Sequence, residues 1–139
     1  MAIDRRSFLV AGLVAGIWFT LSGVLLGHVV YGPEYMERYR QHLAAPPNGL
    51  TIVKNIALRI GYGYLAAFLV AAFLPRFGAE PKTALRAGLV LWLAAYVPIA
   101  IVLYEFGILT GWRLEIGLPW TLAEAMVGCL IAGRLTREA

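Results

Sequence analysis

The chain has one cysteine, two histidines and few charges, and each shortage removes a class of function. A lone Cys129 excludes an intrachain disulfide and any multi-cysteine metal or redox centre. Set inside an apolar run, it reads as a small filler. No glycine-rich phosphate loop, zinc-ligand spacing or nucleophile elbow occurs. Charged residues make up 14% of the 139 positions, too few to coat a soluble domain.

Apolar residues fill the space instead. They account for 60% of the chain, and the mean hydropathy is +0.74. A helix of about 20 apolar residues crosses a hydrocarbon core roughly 30 Å thick. Four windows meet that length: Phe8–Tyr31, Ile52–Leu74, Ala84–Phe106 and Leu118–Leu135. Little chain is left over for a second domain. The expectation is therefore an all-α membrane protein, one four-helix transmembrane bundle over residues 1–139, with the lipid bilayer as its first partner.

Basic residues set the orientation. With the N-terminus cytoplasmic, Arg5, Arg6, Arg76, Lys82, Arg86, Arg134 and Arg137 lie inside, and Arg38, Arg40, Lys54, Arg59 and Arg113 outside. Arg59 and Lys54 belong to a helix rather than a loop. Leaving those two out makes the bias seven to three, which favours both termini on the cytoplasmic side of an inner membrane. The pI of about 9.5 does not point to nucleic acid, because these residues flank apolar spans. Arg5-Arg6 before an apolar run resembles a twin-arginine export signal. The run continues to Tyr31 with no small-residue cleavage site, so the arginines read as an anchor for the first helix.

Between the first two spans, Pro33–Ala45 reads as a short interfacial helix. Tyr35, Met36, Tyr39 and Leu43 recur at helical spacing, and tyrosine favours the headgroup level. Pro46-Pro47-Asn48-Gly49 ends it. Pro98 should kink the third span. Gly107–Gly117 reads as a loop with Trp112 and Arg113 at the interface, and Pro119 as the opening of the fourth helix.

Gly12, Gly16, Gly23 and Gly27 form a stripe along the first helix, all within about 60° of one another at 100° per residue. Such stripes let backbones approach closely in lipid. This one would serve helix packing within the chain, or a homo-oligomer or membrane-complex contact.

Four ionisable residues reach a similar depth toward the outer end of the bundle: His28, Arg59, Glu105 and Glu124, one from each span. A charge at that depth costs about 2.5–3.5 kcal/mol by insertion scales, so pairing Arg59 with Glu124 is the cheapest arrangement. Gly63 and Gly128 lie four residues beyond these two and leave room beside them. The cluster reads as a salt bridge fixing helix register, as a solute, ion or proton site, or as side chains snorkelling outward. A bis-histidine haem would need His42 beside His28, and His42 falls in the surface segment. His28 reads as a hydrogen-bonding residue, and no cofactor or metal is expected.

Gly27-His28-Val29-Val30-Tyr31-Gly32-Pro33 resembles the Tyr-Gly-Pro signature that closes the first helix in a broad bacterial family of four-helix membrane proteins. Leu91-Trp92-Leu93, Tyr104-Glu105-Phe106 and Ala132-Gly133-Arg134 follow the same outline. The resemblance implies a four-helix inner-membrane protein and carries no activity. Three readings are open: a non-enzymatic accessory, assembly or structural subunit; a small transporter or channel using Arg59, Glu105 and Glu124; and an enzyme acting on a lipid or quinone at the outer interface.

Overall fold

A computed structural model describes residues 4–136; Arg137, counted in the orientation argument, lies outside them. Five helices follow in order: α1 (Arg5–Val30), α2 (Gly32–Gln41), α3 (Gly49–Phe77), α4 (Pro81–Glu105) and α5 (Gly111–Leu135). All but α2 are long and apolar enough to cross a membrane. Neighbouring spans run antiparallel, with α1 against α3 and α5, and α4 against α5 and the later half of α3.

Local chemistry sets the helix ends. Asp4 caps α1 by accepting from the Arg6 and Ser7 amides. Asn48 and Thr51 cap α3 reciprocally. Gly32, Gly78 and Gly107, at φ of 78°, 76° and 69°, make the turns that release α1, α3 and α4. The short helix α2 follows Gly32 with Pro33 in its first turn.

The core is built from small residues. Ala11, Ala15, Ala66, Ala67, Ala87, Ala125, Cys129 and Ala132 have no exposed surface, with Phe19, Val70 and Leu91 as the main large fillers. Large aliphatics such as Leu21, Val24, Val29, Ile52 and Leu93 face outward. A soluble domain avoids an apolar surface this extensive. In lipid the arrangement is economical, since small residues allow close backbone packing and large ones meet the acyl chains.

The tightest approach is between α1 and α3. A Cβ on Gly63 would run into the Gly12 carbonyl and the Gly16 backbone, and a Cβ on Gly16 would sit 2.7 Å from the Ile60 Cα. Gly12 lies under the Tyr64 ring, Gly23 under the Arg59 guanidinium, and Gly27 next to Met36 and Tyr35. The whole stripe is thus covered within the chain.

Two spans contain a widened π turn, over Leu25–Val30 in α1 and Trp92–Tyr96 in α4. In α4 the cause is visible. Pro98 has no N–H to donate, and the turn just before it takes up the extra residue. The fourth span starts earlier than its apolar run suggests. The helix begins at Gly111, about two turns before Leu118, so Pro119 lies inside it rather than opening it. Arg113 accounts for the difference: it is 3% exposed and its guanidinium bonds to other groups of the fold instead of standing at an interface.

Gly63→Leu should separate α1 from α3 and cost about 3 kcal/mol or more, because the obstructing atoms are backbone. Gly61→Ala, with open space around it, should be neutral or slightly stabilising. Thermal unfolding in detergent distinguishes the two.

Candidate functional site

One side chain from each transmembrane helix meets at the Glu124 carboxylate. Ser22 of α1 donates its hydroxyl to Oε2 at 2.8 Å. Arg59 of α3 and Tyr96 of α4 both donate to Oε1 at 2.9 Å. The Glu124 side chain has no exposed surface, whereas that of Arg59 keeps 32%.

A ring of indoles closes around this centre. Trp120 donates to the Ser22 hydroxyl at 3.0 Å, so that oxygen is oriented to give its own hydrogen to Glu124. Trp18 donates to the Glu124 backbone carbonyl at 3.0 Å. Trp92 reaches Thr121 at 3.1 Å and ties α4 to α5 one turn from the carboxylate. Each Trp N–H therefore finds an acceptor while its ring fills apolar space.

Small residues make the geometry fit. Gly23 lets the guanidinium lie flat on the α1 backbone, where a Cβ would be 2.6 Å from its Cζ. Gly128, one turn beyond Glu124, receives the edge of the Phe19 ring. Phe19, Tyr62 and Tyr96 pack as a cluster of rings, with Tyr62 and Tyr96 centroids 5.5 Å apart.

His28 and Glu105 are not part of this centre. Both are exposed, and neither takes part in an ion pair among the described residues. Each follows the π turn of its helix or lies within it. The added residue turns what comes after by about 100° relative to a regular α-helix, so equal depth does not bring these side chains together. Among the described residues, no three His, Cys, Asp or Glu side chains come together as a metal donor set.

A second polar knot fastens α2. Arg113 donates to the Tyr31 carbonyl at 3.2 Å, to Thr110 at 2.9 Å and to Glu34 at 2.9 Å. Arg38 completes the clasp, reaching Glu34 at 2.8 Å and the Gly107 carbonyl at 3.2 Å. Sequence reasoning passed over this knot because Arg113 falls in what reads as a loop.

The cavities found at the opposite end do not reach Glu124. A shallow groove of about 420 Å³ is lined by Arg5, Phe8, Phe68, Ala71 and Ala72. A smaller one, about 50 Å³, lies between Leu74, Pro81 and Arg134. Comparison of the chain with family models, curated proteins and solved structures finds no match, so the functional reading rests on this geometry.

The clasp gives a pH dependence with a definite sign. The hydrogen bond from Arg113, followed by that from Arg38 and by both charges, holds the Glu34 carboxyl below the usual carboxylate range. A depressed folded-state pKa stabilises α2 above the ordinary value, and the effect is lost as pH falls through the folded one. Hydrogen exchange in α2 should therefore speed up on acidification below about pH 4.5. Glu34→Gln should show fast exchange at neutral pH and no further acid response.

Proposed function

We propose that the chain is a non-enzymatic polytopic membrane subunit, serving an accessory, assembly or structural role, whose Glu124 network locks four helices in register. The observation that carries this reading is the state of Glu124. Its side chain is fully enclosed and accepts from three helices at once. A transport site built on Arg59, Glu105 and Glu124 would need water at that carboxylate, and Glu105 to share it.

A buried pair of this kind loses most when one partner is removed, because the other charge is left stranded. Glu124→Leu or Arg59→Leu alone should cost about 3–5 kcal/mol. The double variant Arg59→Leu/Glu124→Leu should recover a folded bundle with most of that loss restored, as read by thermal unfolding in detergent. Proteoliposomes carrying an internal pH dye should leak protons no faster than empty vesicles. A proton flux that Glu124→Gln abolishes would overturn the structural reading.

The proposed orientation has both termini on the cytoplasmic face of an inner membrane; the bacterial setting rests on the resemblance around Tyr31-Gly32-Pro33. Charge placement supports the orientation. Among the described residues, all four ion pairs involve the α2 half of the bundle. Arg38, Arg59 and Arg113 are thus engaged within the fold, while Arg5, Arg6, Arg76, Lys82, Arg86 and Arg134 cluster at the other end. In this orientation α2 lies on the outer leaflet. Because Cys129 is buried, single cysteines placed at Gly49 and Glu80 report cleanly. Gly49→Cys should label from outside and Glu80→Cys from inside; labelling from one side would refute the topology.

A further inference from the structure

The first turns of α3 stand apart from the bundle. Every residue from Ile52 to Leu58 is exposed. At the same level α1, α2, α4 and α5 close on one another around Leu26, Tyr31 and Leu109, and α3 contributes nothing to that cluster. Arg59 is where α3 turns back to its neighbours.

The Arg59 guanidinium is only half used. A guanidinium offers five N–H donors in a planar fork. Nη1 goes to Glu124, while Nε and Nη2 lie against Gly23 with no acceptor among the described residues. Other unsatisfied donors surround it. Asn55 is one turn earlier on the same α3 face, exposed, its amide without a partner among the described residues. Tyr35 packs beside Gly27, one turn beyond Gly23 on the same α1 face. Burial raises its phenol above the ordinary tyrosine range, and the Arg59 charge works against that rise.

Guanidinium, amide and phenol thus border one open niche in an apolar surround. We propose that this niche seats a phospholipid, its phosphate taken by Nε and Nη2 of Arg59 with Asn55 and Tyr35 beside it, and its acyl chain along the bare face of α3. Depth permits the contact. The 29 residues of α3 span roughly 43 Å against about 30 Å of hydrocarbon, an overhang of about 6–7 Å at each end. Arg59, roughly 15 Å from the start of the helix, therefore lies about 8–9 Å beneath the boundary, and a long side chain snorkels from there toward the headgroups. The Glu124 charge is met by Nη1 and by two hydroxyls, which leaves the other edge of the guanidinium for a second anion. A carboxylate on a second copy or another helix would satisfy the same donors. Phosphate is favoured because lipid surrounds α3 at high concentration and at this level.

Native mass spectrometry of the full chain in mild detergent tests the seat, with phosphatidylglycerol as the probe and diacylglycerol, which has the chains but no phosphate, as control. One phosphatidylglycerol should be retained and diacylglycerol should not. Arg59→Lys keeps a cation for Glu124 but loses the second guanidinium edge. It should stay folded and bind at least tenfold less. Asn55→Leu, on an exposed surface where the fold is not at risk, should weaken retention severalfold. Lys54→Gln, about 140° round the helix from Arg59, should leave it unchanged. Equal retention of diacylglycerol, unchanged retention by Arg59→Lys, an equal loss in Lys54→Gln, or a lipid-free dimer would each overturn the proposal.

Discussion

A carboxylate in hydrocarbon keeps its charge only if donors replace the water it has lost, and the bundle is arranged around meeting that demand for Glu124. Ser22, Arg59 and Tyr96 come from three helices and Glu124 from the fourth, so each span supplies one member of the set. Shifting any span by a single residue would rotate its member about 100° out of the site. Apolar packing in lipid gives little direction to helix association. The polar centre supplies that direction, and the surrounding alanines and glycines then allow the close approach it requires.

Room for large polar groups is made by omission. Gly23 leaves the guanidinium a flat floor, Gly63 brings the α1 backbone near, and Gly128 accepts the Phe19 ring beside the carboxylate. The π turn before Pro98 belongs to the same economy. It contains Trp92 and Tyr96, and both reach across to α5. Toward α2 the arrangement changes. There the Arg113 clasp and a separate apolar cluster hold α1, α2, α4 and α5 together, and the start of α3 is left to its surroundings.

Depth could be read from the chain, whereas azimuth could not. Four apolar windows separated by proline and glycine place the spans, and counting along them puts His28, Arg59, Glu105 and Glu124 at one level. Whether two residues at one level face each other depends on helix phase, and two π turns shift that phase without a clear mark in the sequence. Ser22 and Tyr96 escaped notice for another reason: neither carries a charge, so neither interrupts an apolar run. A polar residue two positions before Pro98 was the available hint. Arg113 was misplaced because glycines on both sides make its segment look like a loop, when its guanidinium is what holds that segment helical.

The carboxylate that organises the bundle resides on the last of the four spans. Ribosomal synthesis delivers α1, α3 and α4 first, and during that interval Arg59 lies in the bilayer with no acid to meet it. The intermediate is therefore electrostatically incomplete. It leaves a cation facing lipid, which marks an unfinished chain to any surveillance system that senses charge at membrane depth. Arrival of α5 removes the mark and joins the helices in the same event, so maturation of this bundle is gated by its final segment rather than accumulated helix by helix.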